Sequence, residues 1–207
     1  MVSESKRRIE VAAAGLLARH GYHGFGLKKL SEAAALPYGS IYHHFPGGKE
    51  EIAVSAITGT GVLVGRMISQ APSDVFGTAA TLFDFMAARL GASDWTVGCP
   101  VGTPALDGGS DVESVRTACV SAFDAMAHGF AEILTDMGLP AGEAHELATT
   151  VVAAYEGATI LARVRRSDEP LHTVAAAMAR LIRLSLAEVV VNDAEFTAAG
   201  PEVAAAE

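Results

Sequence analysis

The chain has 207 residues, of which half are apolar, 19% are charged and only 6% are aromatic. This length supports one compact protein with a hydrophobic core, and the Ala-rich segments without alternating β patterns predict an all-α fold. No apolar run reaches about 18 residues without a charge or a glycine, so we expect no membrane span. Cys99 and Cys119 form neither a disulfide framework nor a metal-ligand spacing, and no signal-peptide pattern opens the sequence, so we expect a protein of the reducing cytoplasm.

The net charge of −9 argues at first against a nucleic-acid partner, because phosphates are neutralised by Lys and Arg. The charge is unevenly distributed, however. Residues 1–50 contain seven Lys or Arg and four Asp or Glu, a net +3, which leaves −12 for the rest of the chain. Such asymmetry predicts a basic end that meets a polyanion and an acidic body that avoids it.

Two helices are predicted first. In residues 4–20 apolar side chains recur at three- and four-residue spacing, and Gly21 follows as a C-terminal cap. A shorter helix is predicted over residues 27–34, with Lys28 on its polar face. Lys28 can approach a DNA backbone or remain solvated, and the pattern leaves both alternatives open.

A third short helix is predicted between Pro37, which suits a helix start, and the stop at Pro46. Ile41 and Phe45 pack on one face, so the other side chains point outward. Two short helices joined by a tight turn are typical of a helix-turn-helix whose second helix enters the major groove. The candidate DNA-contacting residues of this segment are Pro37, Tyr38, Gly39, Ser40, Tyr42 and His43.

The string Gly39-Ser40-Ile41-Tyr42-His43-His44-Phe45, followed by Lys49-Glu50-Glu51, resembles the TetR/AcrR family of bacterial transcriptional regulators. The resemblance covers roughly residues 5–55. It implies that Tyr42, His43 and Lys49 contact phosphates. It also implies that Tyr38, Gly39 and Ser40 reach base edges. The segments Pro-Gly-Gly-Lys-Glu-Glu-Ile at 46–52 and Gly-Cys-Pro-Val at 98–101 are similar to the LmrA/YxaF-like branch.

Two residues depart from the family pattern, which has Ser or Thr capping the second helix and Gly in the turn after it. Gly26 is a tolerable N-cap, so the helix still forms, although a hydroxyl contact to phosphate is lost. If the turn needs a left-handed residue, Ala35 carries a strain of roughly 1 kcal/mol.

The chain after this DNA-binding domain of residues 1–48 predicts a larger helical domain for effector binding and dimerisation at 49–191. We expect about nine helices in all and a loose tail at 192–207. The fourth helix begins at Lys49, ends near residue 70 and is weakened by three glycines, Gly59, Gly61 and Gly65.

The later helices are separated by breakers. Ser73 and Asp74 are suited to start the fifth helix, and residues 92–110 are predicted to be mostly loop, with room for a short helix. Ser110 and Glu113 predict a capping box before a long helix. Two further long helices follow, separated by a break at residues 167–170.

The last two long helices carry small residues that allow close approach, which favours a homodimer through a four-helix interface. The family resemblance implies the same arrangement. The alternative is that their apolar faces pack only on their own core. A two-fold dimer would read two half-sites of an operator in double-stranded DNA.

Aromatic and Met side chains on the middle helices, next to the 92–110 loop, predict a mostly apolar cavity for a small molecule. Plain core packing is the alternative for each of them. The candidate effector-binding residues are Phe83, Met86, Trp95, Phe123, Met126, Phe130 and Tyr155.

These patterns predict a regulator, a repressor by family resemblance, that a small, largely apolar or aromatic effector releases from a palindromic operator. The alternative is a redox-responsive regulator that senses oxidant through Cys99, which lies in a predicted loop. We find no convergent catalytic set and expect neither an enzyme nor a cofactor. Adjacent His43 and His44 diverge on a helix, so no metal site is expected.

Overall fold

The computed structural model describes residues 3–70 and 75–198. Within this part of the chain there are nine α-helices and no strand, so the predicted all-α fold is confirmed. The helices are α1 (Glu4–His20), α2 (Leu27–Ala34), α3 (Tyr38–His44), α4 (Gly48–Ser69), α5 (Val75–Ala92), α6 (Gly102–Leu106), α7 (Glu113–Asp136), α8 (Ala141–Arg165) and α9 (Glu169–Ala198).

The first helix has the two ends that its sequence predicts. Ser3 is the N-cap, and its Oγ accepts a hydrogen bond from the Lys6 amide at 3.2 Å. Gly21 ends the helix at φ +66°, and its amide donates to the Leu17 carbonyl at 2.9 Å. The apolar residues of α1, α2 and α3 then meet in a shared core, where Ile9, Leu30 and Ile41 are fully buried.

The turn between α2 and α3 is built on a strained residue. Ala35 adopts φ 49°, ψ 47°, the left-handed conformation that the family pattern assigns to glycine. The Arg8 guanidinium of α1 donates to the carbonyls of Ala34 at 2.6 Å and of Ala35 at 3.1 Å. These bonds satisfy carbonyls that the end of α2 leaves free, and they hold the turn in place.

The fourth helix joins the helix-turn-helix to the body, because α4 packs on α1 at one side and on α7 at the other. Both α4 and α8 are long and apolar enough to pass a hydropathy test for a membrane span, with mean hydropathies of 1.5 and 1.2. Core helices of soluble proteins pass the same test. In this structure each of the two helices packs on α7 through its buried face.

The body is tied to α1 through the segment around α6. The Gly98 amide donates to the Ala18 carbonyl at 2.7 Å, and Asp107 Oδ2 accepts from the His23 amide at 2.9 Å. Thr103 Oγ1 adds a longer bond to the Ala18 carbonyl at 3.4 Å. A rearrangement of α6 would therefore act directly on the C-terminal end of α1.

Three local expectations differ from the structure. The capping box of Ser110 and Glu113 is wrong, because Val112 precedes α7 without a side-chain cap and Glu113 pairs with Arg116 at 2.6 Å. The last helix continues to Ala198, beyond the predicted boundary at 191, and residues 199–207 of the expected tail lie outside the described residues. The proposed start of the fifth helix at Ser73 and Asp74 also lies outside them.

Candidate DNA-binding surface and effector site

The surface of α3 presents the residues that the sequence predicts to contact DNA. Ile41 is fully buried in the head, and Phe45, which follows the helix, is 1% exposed. Tyr38 and Tyr42, by contrast, are 48% and 45% exposed. Their neighbours Pro37, Gly39 and His43 are exposed, and Ser40 is half-buried. The helix is thus fixed to the core on one face and free on the other.

Tyr38 and Tyr42 lie one turn apart with ring centroids 5.5 Å from each other. The pKa of Tyr38 is raised, first by desolvation and then by a hydrogen bond with Tyr42. The phenol therefore stays protonated and able to donate at neutral pH. Beside them, a Cβ built on Gly39 would meet no atom within 4 Å, so another molecule can approach the backbone there.

The two candidate lysines have different surroundings. Lys28 is exposed on α2. Lys49 is half-buried, and its ammonium lies 4.5 Å from the centroid of the Tyr22 ring and 6.0 Å from that of Phe25. Lys49 therefore makes a cation–π contact with its own domain at the start of α4, which its sequence context did not reveal.

The seven candidate effector residues belong to the core of the body or pack against it. Phe83, Met86, Met126, Phe130 and Tyr155 are at most 4% exposed, whereas Trp95 and Phe123 are half-buried. Phe83 and Tyr155 form an edge-to-face pair with centroids 5.5 Å apart. A cavity of about 220 Å³ lies between α6 and α8, and none of these seven residues lines it.

Cys99 lies in a loop, as predicted, but the loop is packed and the thiol is buried. Its pKa is raised well above the ordinary value, chiefly by desolvation and then by the neighbouring Glu156 carboxylate. Cys119 is also buried, and desolvation raises its pKa to about 11. Both conditions suppress the thiolate, which is the reactive form of cysteine.

Sequence reasoning missed Glu156. This residue follows Tyr155 on α8, and its carboxyl oxygen Oε1 is buried without a hydrogen-bond partner. The pKa of Glu156 is raised by desolvation, an effect that a hydrogen bond with Cys99 partly offsets. The helical spacing could have indicated it. Glu156 lies four positions after Val152 and three before Thr159, and both of these residues are buried on one face of α8.

A small helical head with an exposed recognition helix, joined to a larger helical body, defines a helix-turn-helix transcriptional regulator. Comparison with known protein families supports this class. Residues 9–56 match the model of the bacterial regulatory proteins of the tetR family. Residues 77–177 match the C-terminal domain of LmrA/YxaF-like transcriptional regulators.

The helix-turn-helix transcriptional regulator YxaF of Bacillus subtilis is 31% identical over 87% of this chain and 96% of its own. A crystal structure of a TetR regulator from Legionella pneumophila has a TM-score of 0.74 and 25% identity, over 87% of this chain and 98% of that one. The structure of the TetR regulator CifR with a 26-base-pair operator DNA has a TM-score of 0.64 and 24% identity, over 86% of this chain and 94% of that one. The chain belongs to the TetR family, and its body is of the LmrA/YxaF-like kind.

Proposed function

We propose that this regulator is a repressor that binds a palindromic operator through α3 and leaves it when a small molecule binds the body. The observation that carries the proposal is the face of α3 on which Tyr38 and Tyr42 are nearly half exposed while Ile41 is fully buried. Exposed aromatic hydroxyls with no role in the core are suited to contacts with phosphates and bases. A cysteine mutant of CifR, which shares the fold, was solved in complex with operator DNA.

The proposed DNA contacts are those of the recognition helix and its flanks. Tyr42 and His43 would bind phosphates, and Tyr38, Gly39 and Ser40 would approach base edges. Lys28 and Lys49 would add contacts to the DNA backbone. To do so, Lys49 would have to extend away from the Tyr22 ring or contact the ring and a phosphate at the same time. The proposed set is Lys28, Pro37, Tyr38, Gly39, Ser40, Tyr42, His43 and Lys49.

The proposed homodimer forms through α8 and α9. An apolar stripe on each helix is exposed: Ile160, Leu161 and Val164 on α8, and Leu181 and Leu184 on α9. Val164 is 78% exposed, which is costly for an apolar side chain unless another surface covers it. A second copy of the chain would bury both stripes and place two recognition helices on successive half-sites.

The proposed effector is apolar or aromatic and is accommodated among the seven core residues Phe83, Met86, Trp95, Phe123, Met126, Phe130 and Tyr155. Tyr155 offers a hydroxyl there, and its pKa is raised well above the ordinary value by desolvation and by Cys99 and Glu156. The effector would lower DNA affinity by preferring a body conformation that moves α4 and α1. The binding free energies of effector and operator are then coupled, typically by about 1–3 kcal/mol.

Oxidant sensing through Cys99 is the weaker alternative, because burial and a raised pKa keep this thiol protonated. The same proposal makes the protein a cytoplasmic regulator without catalytic activity.

The test is a fluorescence-anisotropy titration of the purified protein against DNA flanking its own gene, repeated at several salt concentrations. Tyr42→Ala should abolish tight binding, whereas Thr149→Ala, on the exposed side of α8, should bind like the unmodified protein. Salt should weaken binding steeply, because counterions are released from the phosphates. Equal binding to unrelated DNA, or tight binding by Tyr42→Ala, would contradict the proposed recognition surface.

A further inference from the structure

The cavity of about 220 Å³ between α6 and α8, the α6–α8 cavity, is mostly apolar, but its wall also contains the ionisable side chains of Asp107, Glu156 and Arg163. In the single chain its mouth lies beside two apolar side chains, Leu106 and Ile160, which are 73% and 46% exposed, and Ile160 also belongs to the stripe of the proposed dimer interface. Its wall is formed by Gly98, Cys99, Gly102, Thr103, Leu106, Asp107, Glu156, Thr159, Ile160 and Arg163.

Most polar side chains of this lining already have partners. Thr103 donates to the Ala18 carbonyl and Thr159 to the Tyr155 carbonyl, the latter at 2.8 Å. The two carboxylate oxygens of Asp107 accept from the amides of His23 and Gly109. These three groups therefore have structural roles and leave little capacity for a ligand.

Glu156 is different, because its Oε1 is buried without a partner. The carboxylate is confined at the wall, since a Cβ built on Gly102 would lie 2.3 Å from Glu156 Oε2. The side chain of Cys99 lies on the same wall of the cavity, since a Cβ built on Gly102 would lie 3.5 Å from the Cys99 Cβ. A buried carboxyl oxygen without a hydrogen-bond partner is costly, and a donor from a bound molecule would remove that cost.

Arg163 supplies the opposite charge in the same cavity. It lies seven residues after Glu156, two turns or about 10 Å further along α8. Among the described residues Arg163 has no carboxylate within 4.0 Å, so its guanidinium is not paired with Glu156. The cavity thus has a hydrogen-bond acceptor, the Glu156 carboxyl group, at one end and the donors of the Arg163 guanidinium at the other.

We propose that the α6–α8 cavity binds a compact aminocarboxylate, whose ammonium donates to Glu156 and whose carboxylate is bound by Arg163. The cavity has the volume of about seven water molecules, which suits an amino acid of modest length and excludes a drug-sized ligand. The site is separate from the apolar core residues of the proposed effector region. Because Gly98 and Thr103 bond Ala18 of α1 and Asp107 bonds His23 just after it, occupancy is expected to change the position of the helix-turn-helix.

The test is isothermal titration calorimetry on the full chain without DNA, so that the result does not depend on the proposed operator binding. The probes are 4-aminobutanoate and 6-aminohexanoate, and hexylamine and hexanoate serve as the two halves of the longer probe. The variants are Glu156→Gln and Arg163→Gln. Their matched controls on the same helix are Glu146→Gln and Arg165→Gln, which lie outside the cavity.

One aminocarboxylate should bind at least tenfold more tightly than either half, and each cavity variant should lower its affinity at least tenfold. The two control variants should bind like the unmodified chain, and thermal unfolding would show that every variant is folded. If Glu156→Gln fails to fold, Arg163→Gln alone still tests the site. The proposal is overturned if neither aminocarboxylate binds, if the halves bind equally well, or if a folded cavity variant keeps full affinity.

Discussion

Gly61 of α4 lies directly against Ala122 of α7: a Cβ built on Gly61 would be 2.5 Å from the Ala122 Cα and 2.7 Å from its Cβ. The two helices therefore approach backbone to backbone at this point. Gly65 continues the contact one turn later, where a Cβ would lie 3.0 Å from the Ala125 carbonyl oxygen. Gly61 and Gly65 weaken α4 as an isolated helix, but they allow it to pack closely on α7.

Gly61→Ala is expected to destabilise the protein by about 1–3 kcal/mol, because the added methyl forces α4 away from α7. The matched variant is Gly59→Ala, where a Cβ would meet no atom within 4 Å. That change should stabilise the protein by roughly 0.5–1 kcal/mol through helix propensity. Urea unfolding of the two variants measures the difference, and equal stabilities would show that the close approach is not maintained in solution.

Ala35→Gly should stabilise the protein by about 1 kcal/mol, since Ala35 occupies the left-handed region at φ 49°. Ala33→Gly, two residues earlier in α2, is the control and should destabilise by a similar amount, because a helical position gains nothing from glycine. The midpoint of thermal unfolding reports both effects. A lower midpoint for Ala35→Gly would mean that the turn is not strained.

Glu156→Gln should become more stable relative to the unmodified chain as pH rises. Burial raises the pKa of Glu156 in the folded protein, so deprotonation favours the unfolded state. Below the ordinary range of glutamate both states are protonated and the difference is constant. The unmodified chain loses stability as pH rises from there through the pKa of Glu156 in the folded state. The loss is about 1.4 kcal/mol for each tenfold difference in proton affinity between the folded and unfolded states.

Urea unfolding at pH 4, 6 and 8 gives this difference directly, with Glu146→Gln as the exposed control on the same helix. The charged or titratable groups near Glu156 are Cys99, Asp107, Tyr155 and Arg163. A difference that does not change with pH would show that water or a bound cation already solvates the carboxylate.

Val164→Glu should convert the proposed dimer to monomers, because a carboxylate in the exposed apolar stripe of α8 would be buried without a partner in the interface. Val120→Glu, at a 46% exposed position of α7, is the control and should leave the oligomeric state unchanged. Sedimentation velocity distinguishes the two forms. A dimer that survives Val164→Glu would place the interface elsewhere.

Cys99→Ser should leave operator binding insensitive to peroxide, as we expect for the unmodified protein. The thiol is buried and its raised pKa keeps it protonated at neutral pH. Alkylation by iodoacetamide, followed by mass spectrometry, should be slow in the folded protein and fast in urea. Peroxide release that Cys99→Ser abolishes would favour the redox alternative instead.

The head of the molecule was predictable because its structure depends on neighbours in sequence. The spacing of apolar residues in α1 and α2, the cap at Gly21 and the stop at Pro46 act within one or two turns. The exposed side of α3 followed from the same spacing once Ile41 and Phe45 were assigned to the core. The failed capping box at Ser110 shows the limit, since a local motif competes there with a 3-10 turn at Gly109–Asp111.

The sequence by itself thus determined the helical class, the helix-turn-helix and its candidate DNA-contacting face, because periodicity and capping are local properties. Only the tertiary structure decided that Cys99 is buried and that Glu156 lies against it, 57 positions away in the chain. The bond from the His23 amide to Asp107 likewise spans 84 residues. Such contacts depend on how whole helices pack, and no short-range pattern encodes which polar group that packing leaves buried.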